Sequence, residues 1–285
     1  MFPTSFAYHR ATSVSDAVTT LASNPDAKIL AGGYSLIPAM KLRLAAPGLL
    51  VDLGGLDELR GVSIAGGQLS IGAMVTYNQL RDADGVAAAF PAIPESIYGL
   101  GDQQVREHGT IGGALAHNDP AADFPPVFLA LGGSVEATGA NGTRIIAGED
   151  LFVDLWTTSL ELDEVITSVT IPVPADGSIS GYVKHQHPAS GYAVAGVAVA
   201  ITLSGGSVES ASVVVTGGTS KPSHAAAAEA ALVGTALDEA AIDAAVAVAA
   251  DGLDINGDSY ASAEFRSHLV GVVLRRAIGQ ARSRA

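Results

Sequence analysis

The sequence contains no cysteine. The chain therefore cannot form a disulfide, a structural Cys-zinc site or a thiol nucleophile, and it cannot ligate an iron–sulfur cluster through cysteine. Any redox role of this chain requires a bound organic cofactor.

Basic residues are also few: 15 Lys and Arg against 29 Asp and Glu give a formal charge of −14 at pH 7. This balance argues against nucleic acid and against an anionic membrane surface as partners. No apolar run is long enough to span a bilayer, and the N-terminal residues lack the basic segment and apolar core of a signal peptide. We therefore expect a cytoplasmic protein with no integral membrane segment.

Hydrophobic residues make up 48% of the 285-residue sequence, which supports a large buried core. The pattern predicts an α+β protein in three units, with boundaries at 1–55, 56–175 and 176–285. The first unit alternates helix and strand, with a helix capped by Ser13 or Ser15 and a second helix that carries Ile37 to Leu44. The second contains two hairpins, at 62–71 and 134–146, and an apolar helix from Asp123 to Leu131. The third has three β-rich runs (181–186, 193–203 and 207–215) followed by three helical segments.

Two glycine-containing stretches carry the strongest functional signal, Ala31-Gly32-Gly33-Tyr34-Ser35 and Thr110-Ile111-Gly112-Gly113. Each combines a Gly-Gly step with a small hydroxyl residue, so consecutive backbone N–H groups can converge on an anion without an intervening side chain. Either stretch alone is a weak signal, because the chain has 33 glycines and most of them serve turns. Together they indicate a site for the two phosphates of a dinucleotide.

The longer strings around these glycines are more specific. Residues 31–44 and 110–123 closely resemble the two flavin-binding signatures of one family, the FAD-binding medium subunits of molybdenum hydroxylases. This family includes the medium subunit of bacterial carbon monoxide dehydrogenase and the flavin domain of xanthine dehydrogenase. The resemblance covers essentially the whole chain. It implies a PCMH-type FAD-binding fold of two α/β subdomains, followed by a C-terminal three-stranded sheet with helices.

In this family FAD lies between the first two subdomains, and backbone N–H groups of both glycine stretches hold its pyrophosphate. An anion at a loop that precedes a helix is also favoured by the N–H groups and the helix dipole together. The resemblance assigns ten residues to the phosphates and the adjoining part of the cofactor: Ala31, Gly32, Gly33, Tyr34, Ser35, Thr110, Ile111, Gly112, Gly113 and Ala114.

The resemblance assigns three further residues to FAD, and each has an alternative role. Asp123 matches an acidic residue that reaches the ribose or adenine end, and its alternative role is an N-cap for the helix to Leu131. Lys184 matches a lysine near the flavin ring, where a cation would stabilise charge on the reduced ring; its alternative is a solvated strand lysine. Tyr192 lies where relatives place an aromatic residue against the ring, and its alternative is core packing.

The chain departs from the family pattern at two of these positions. Relatives usually have Asn where Ala114 stands, so a side-chain hydrogen bond to the cofactor is expected to be absent. Tyr34 replaces a more usual Gln, His or Thr. Neither change blocks binding of phosphate by the backbone, but both affect the finer tuning of the flavin.

The seven histidines raise the question of a metal site or a catalytic triad. His117, Asp119 and Asp123 are spaced like ligands, and His185 and His187 share one face of a strand. Each set lacks a convincing further ligand, and no nucleophile-elbow string is present. We therefore predict neither metal ligands nor catalytic residues in this chain.

The resemblance implies an electron-transfer subunit that binds FAD and does not itself bind the oxidised substrate. In the family, oxidation takes place at a molybdenum-pterin cofactor in a large subunit, and two 2Fe-2S clusters in a small subunit pass electrons to FAD. FAD then reduces an external acceptor, and the assembly is a dimer of large, medium and small heterotrimers, a heterohexamer. Carbon monoxide, an aldehyde, a purine and an N-heterocycle remain open as the substrate.

Two alternatives belong to other functional classes. The first is a self-sufficient FAD-dependent oxidase or reductase of the same flavin-binding fold, which needs its own substrate pocket and a proton donor. The second is a non-enzymatic interaction module in which both glycine stretches are only turns. Turnover of a small substrate without molybdenum or iron would favour the first, and protein that refuses FAD would favour the second.

Overall fold

The computed structural model describes residues 2–284, which form sheets of three, five and four strands and a two-stranded ribbon. Residues 1 and 285, the outer ends of the first and third predicted units, lie outside the described residues. None of the described helices is both long and apolar enough to cross a membrane.

The N-terminal sheet is parallel, with strand order β1-β3-β2. Its elements are β1 (Ala7–Arg10), α1 (Val14–Ser23), β2 (Ala27–Leu30), α2 (Leu36–Lys41) and β3 (Leu49–Asp52). Of the two predicted caps of α1, the structure uses Ser13, whose side chain accepts the Asp16 N–H. Because parallel strands need a crossover, the first glycine stretch lies between β2 and the helix that returns the chain to β3.

The middle sheet is antiparallel, with order β4-β5-β10-β6-β7, and it contains both predicted hairpins. A 3-10 helix at Asp57–Leu59 precedes it. The elements are β4 (Val62–Ala65), β5 (Gln68–Gly72), α3 (Tyr77–Arg81), α4 (Val86–Ala89), α5 (Ala92–Tyr98), α6 (Gln103–His108), α7 (Ile111–His117), α8 (Phe124–Ala130), β6 (Ser134–Gly139), β7 (Gly142–Ala147), α9 (Gly148–Leu151), β8 (Phe152–Asp154), β9 (Thr157–Thr158) and β10 (Val165–Pro172). The strands β8 and β9 form the ribbon.

The C-terminal sheet is antiparallel, with order β11-β12-β13-β14. The three predicted runs form β11 (Ser178–Gln186), β12 (Ala193–Ser204) and β13 (Ser207–Thr216), and the two-residue β14 (Ser223–His224) adds a fourth strand. The helices α10 (Ala226–Leu232), α11 (Glu239–Ala247) and α12 (Ala263–Arg282) follow.

Both faces of this C-terminal sheet are buried at its centre. Val197 and Val213 pack in one core cluster with Leu274 of α12, whereas Ala198 and Val214 pack in the core of the middle unit. Burial of both faces explains why β12 is almost continuously apolar instead of alternating. The sheet therefore fixes the C-terminal strands against the elements that carry the second glycine stretch.

The helix α2 is shorter than the sequence predicts. It ends at Lys41, and Leu42 and Leu44, which were expected to continue its apolar face, are 61% and 80% exposed. Arg43 adopts a left-handed conformation with φ of 61°, and the Leu44 N–H bonds back to the Ala39 carbonyl. This geometry terminates a helix whatever the propensity of the residues that follow.

Candidate functional site

A cleft of about 710 Å³ is lined by both glycine stretches and by the turn that carries Tyr192. Its volume lies within the range of roughly 300–1,000 Å³ that is usual for small-molecule and cofactor sites. The two stretches meet in this cleft: a Cβ atom at Gly32 would overlap the His108 carbonyl, and one at Gly113 would lie 3.6 Å from the Ala31 Cβ. Glycine at position 32 therefore permits the first glycine stretch to approach the backbone at His108, just before the second stretch.

The first glycine stretch exposes a run of backbone donors. Within residues 2–284, the N–H groups of Gly32, Gly33, Tyr34 and Ser35 donate no hydrogen bond to the chain, and the Ser35 side chain does not cap α2. Gly33 has φ of 75°, a conformation that favours glycine. Consecutive unsatisfied N–H groups beside a cleft are a binding site for an anion such as phosphate.

The second glycine stretch uses its backbone donors inside the protein. The N–H groups of Ile111 and Gly112 each lie 2.9 Å from a carbonyl oxygen, of Val75 and Ala73 respectively. The N–H groups of the next two residues donate to Thr110, whose side chain caps α7. The first stretch is therefore the part of the expected phosphate site with free backbone donors, whereas the second contributes a close-packed wall.

Gly112 shows how close that packing is, since a Cβ there would lie 2.6 Å from the Ala73 Cβ. Thr110, Gly112, Gly113 and Ala114 line the cleft. Ile111 does not: its side chain is fully buried in the middle core, so its assignment to the cofactor stays a prediction without support from the lining of the cleft.

Asp123 and Lys184 form a buried ion pair. The Lys184 Nζ lies 2.8 Å from Asp123 Oδ2, and the other carboxylate oxygen accepts the Tyr182 hydroxyl at 2.6 Å. Burial raises the pKa of Asp123, and the Lys184 ammonium and the Tyr182 hydroxyl oppose that shift. Asp123 stands at the N-cap position of α8, but its side chain forms no capping hydrogen bond and is used in the pair with Lys184 instead.

Lys184 is buried, which rules out one of the two positions considered for it, and the other, near the flavin ring, stays a prediction. Its side chain is 7% exposed, which excludes the solvated strand lysine, and it does not line the cleft. The Nζ also donates to the Gly191 carbonyl at 2.6 Å. Lys184 therefore connects Asp123, before α8, to the turn that carries Tyr192.

Tyr192 stands at the cleft with 48% of its surface exposed, so core packing does not account for it. The His187 N–H donates to the Tyr192 carbonyl and the Gly191 N–H returns to the His187 carbonyl, both at 2.8 Å. Partial burial, with the charges of Asp119 and Asp123, raises the pKa of the Tyr192 phenol. An exposed, neutral aromatic ring on a hydrogen-bonded turn can cover a planar ligand.

Tyr34 is paired with an aromatic residue from the other segment of the cleft. Its ring stacks on His108 with centroids 5.4 Å apart and an interplanar angle of 14°. Tyr34 lines the cleft and remains 41% exposed. The departure from the family pattern at this position therefore introduces a stacking contact between the loop before α2 and the end of α6.

Trp156 was not among the predicted site residues, yet it also lines the cleft. This residue is 60% exposed and has φ of 49°, which is rare for a bulky side chain. The buried Asn118 side chain holds its turn by donating to the carbonyls of Asp154 and Thr157 at 2.8 and 2.9 Å. The available signal was composition, since Trp156 is the single tryptophan of the chain.

The described residues contain no group of three or more His, Asp or Glu side chains placed to hold a metal ion. The residues at the cleft do fit a dinucleotide. Four free backbone N–H groups suit phosphate, the glycines keep two segments in contact, and the exposed aromatic side chains of Tyr34, Trp156 and Tyr192 suit planar rings.

Two family models match the chain in succession. Residues 4–174 match the FAD binding domain in molybdopterin dehydrogenase, and residues 181–281 match the CO dehydrogenase flavoprotein C-terminal domain.

Full-length relatives are similar in both sequence and structure. The chain is 43% identical to the carbon monoxide dehydrogenase medium chain of Afipia carboxidovorans, covering 100% of this chain and 99% of the relative. It is 36% identical to the nicotine 6-hydroxylase medium subunit of Paenarthrobacter nicotinovorans, covering 97% of each. A crystal structure of Cu,Mo-CO dehydrogenase contains a chain with a TM-score of 0.95 and 43% identity, with 100% of both chains covered. A carbon monoxide dehydrogenase structure from Hydrogenophaga pseudoflava gives a TM-score of 0.96 at 36% identity, again with both chains fully covered.

Proposed function

Because the chain belongs to the family of FAD-binding medium subunits of molybdenum hydroxylases, we propose that it passes electrons from iron–sulfur clusters of a partner subunit to an external acceptor. It is an oxidoreductase subunit with an FAD-binding domain. The observation that carries the proposal is the run of four free backbone N–H groups at residues 32–35, which line a cleft of about 710 Å³. When bound, FAD would supply a carrier that accepts and releases two electrons.

In this proposal the predicted site residues have unequal roles. The backbone of Gly32 to Ser35 holds the pyrophosphate, while Thr110, Gly112, Gly113 and Ala114 form the wall of the site. Ala31 also lines the cleft. Tyr192 covers the ring system and limits access of water to it.

The two buried charges, Asp123 and Lys184, hold parts of the site in position. Asp123 lines the cleft, and both of its oxygens already have partners in the protein. Lys184 is a positioning residue, because it holds the turn of Tyr192 and neutralises Asp123 without lining the cleft. Because Asp123 lines the cleft and pairs with Lys184, the positive charge of Lys184 lies close to the cleft.

The proposed assembly contains a large molybdenum-pterin subunit and a small subunit with two 2Fe-2S clusters, as a dimer of heterotrimers of the carbon monoxide dehydrogenase type. The relatives support a multi-subunit enzyme, since they are named as medium chains or subunits. We place the complex in the cytoplasm. We also retain the division into units 1–55, 56–175 and 176–285. The boundary between the second and third units falls in the gap between the two family matches.

The decisive experiment is to purify the chain from its own cells without a denaturing step, and to measure FAD and co-purifying proteins together. We expect about one FAD per chain, two further polypeptides, and molybdenum and iron in the complex. Flavin-loaded protein that turns over a small substrate with neither metal would favour the self-sufficient flavoenzyme. Colourless protein that refuses added FAD would favour the interaction module.

A further inference from the structure

The first glycine stretch and the helix α6 belong to different units of the fold and meet at the cleft. Residues 31–35 follow β2 of the N-terminal sheet, whereas α6 leads into the second glycine stretch in the middle unit. Within residues 2–284, no backbone hydrogen bond joins residues 31–35 to residues 103–113. The position of the four free N–H groups of the first stretch therefore depends on how this stretch packs against the end of α6.

His108, the last residue of α6, contacts the first stretch at two points. Its ring stacks on Tyr34 with centroids 5.4 Å apart, within the range of about 4.5–7 Å in which aromatic rings attract each other. Its carbonyl lies against Gly32, where a Cβ atom would overlap the oxygen. The ring and the backbone of one residue thus both contact the segment that carries the free N–H groups.

The backbone around His108 is fixed to the core of the middle unit. The carbonyl of the next residue, Gly109, accepts the N–H of buried Tyr77 at 3.2 Å, and a Cβ at Gly109 would lie 2.8 Å from the Tyr77 ring. On the other side of His108, the Glu107 carboxylate accepts the side-chain N–H of buried Asn78 at 2.7 Å. The exposed ring of His108 is therefore carried by a segment that two buried residues of α3 hold in place.

The first stretch has little internal support of its own. The carbonyls of Gly33 and Ser35 accept hydrogen bonds from α2, but the four N–H groups of residues 32–35 donate none within the described chain. A Gly-Gly backbone loses much conformational freedom when it is ordered. Tyr34 is the only aromatic side chain of the stretch. Since a ligand binds more tightly to a loop that is already ordered, a contact that fixes Tyr34 should increase the affinity of this loop for its ligand.

From these contacts we propose that His108 is a positioning residue for the phosphate site. Its ring stacks on Tyr34 and thereby holds the N–H groups of residues 32–35 in the arrangement that binds a pyrophosphate. Tyr34 lines the cleft, whereas His108 does not, so His108 acts on the ligand through Tyr34 and not by contact. The inference rests on the proposed function, which places the pyrophosphate of FAD at these N–H groups.

The test measures the Kd of FAD and of ADP for the full-length chain freed of FAD, by isothermal titration calorimetry. ADP carries a pyrophosphate without the flavin ring, so it reports on the phosphate site. His108→Ala removes the stack without removing a residue that lines the cleft, and His108→Phe keeps an aromatic ring. The double variant Tyr34→Ala with His108→Ala, compared with Tyr34→Ala, shows whether His108 acts through Tyr34. Phe265→Ala is the matched control, because it removes an exposed ring that contacts His185 outside the cleft, with centroids 6.4 Å apart.

We expect His108→Ala to raise the Kd of FAD and of ADP alike by about tenfold, whereas His108→Phe and Phe265→Ala should bind both like the wild type. In the Tyr34→Ala background, His108→Ala should cause no further loss. Because His108 is exposed, the midpoint of urea denaturation should not change in His108→Ala.

Three results would overturn the positioning role: wild-type affinity in His108→Ala, weaker binding of FAD without weaker binding of ADP, or an equal loss from His108→Ala when Tyr34 is absent. A wild-type chain that binds neither FAD nor ADP would instead overturn the proposed function on which this role rests.

Discussion

The Lys184 ammonium lies 2.8 Å from the Asp123 carboxylate, although the two residues are 61 positions apart in the chain. Both side chains are buried, at 7% and 5% exposure, and the same ammonium reaches the Gly191 carbonyl. Burial of one charge is tolerable only because the other is present. The pair therefore joins β11, the start of α8 and the turn of Tyr192 into one unit.

The first prediction concerns this pair. Lys184→Met leaves the Asp123 carboxylate buried without its partner, and should lower the free energy of unfolding by about 3–5 kcal/mol in urea denaturation. The double variant Lys184→Met with Asp123→Asn removes both charges and should recover part of that loss. Lys41→Met, at an exposed position on α2, is the control. Equal stability of wild type and Lys184→Met would contradict a structural role for the pair.

The second prediction concerns the backbone of the first glycine stretch. Gly33→Val forces a β-branched residue into φ of 75°, so the loop should shift and FAD content should fall well below one per chain. Gly67→Val is closely matched, because Gly67 has φ of 76° with open space around it in the β4–β5 turn. Both variants bear a similar local strain, but only Gly33→Val should lose FAD, measured by absorbance after gel filtration. Equal retention of FAD in both would remove the first stretch from the site.

The third prediction concerns Tyr192. Tyr192→Ala should expose the flavin to water and to collisional quenchers, whereas Tyr192→Phe should keep the ring covered, because the covering role needs only the aromatic surface. Quenching of flavin fluorescence by iodide measures this access. Tyr98→Ala, at a residue 68% exposed and outside the cleft, should behave like wild type. If iodide quenches the wild type and Tyr192→Ala equally, another group covers the ring.

The fourth prediction concerns pH. His224, in β14, bridges Glu229 of α10 at 2.6 Å and Glu149 of α9 at 2.9 Å. The hydrogen bond to Glu229 is the main cause that raises the pKa of His224 above its ordinary value of 6.5. Because the folded pKa is raised, the stabilisation is fully present below about pH 6.5 and disappears as the pH rises through the folded pKa.

His224→Gln should therefore lower the free energy of unfolding by about 1 kcal/mol at pH 6, and by clearly less at pH 8.5. Urea denaturation at the two pH values measures the difference. His268→Gln, an exposed histidine on α12, should show no such dependence. A loss for His224→Gln that is the same at both pH values would mean that the bridge is not ionic.

Local patterns were sufficient to predict the hairpins and the long C-terminal helix. Gly66-Gly67 between two alternating segments indicates the β4–β5 hairpin, and Thr76 with Gln79 forms the capping box of α3. The short β1 and the helices α4 to α6 were not predicted. Such elements are marginal on their own, so tertiary packing decides whether they form.

The sequence also placed both glycine stretches at one site, where the structure brings them into contact. It did not reveal which stretch has free donors, because that depends on the hydrogen bonds of Ile111 and Gly112 to the segment 73–75. The ion pair of Lys184 with Asp123 was not predicted for a related reason. Tyr182 and Lys184 share a strand face by the period of two, but nothing local indicates that Asp123 lies opposite them.

The free backbone N–H groups of Gly32 to Ser35 allow FAD binding to be followed by amide hydrogen exchange. Amide protons without a hydrogen bond exchange rapidly with solvent deuterium, whereas those bound to an acceptor are protected. In the FAD-free chain these four amides should exchange as fast as a surface loop, while Ile111 and Gly112, which are already bonded, stay slow. On addition of FAD only the first group should slow down, and mass spectrometry of the corresponding peptides would follow the binding residue by residue.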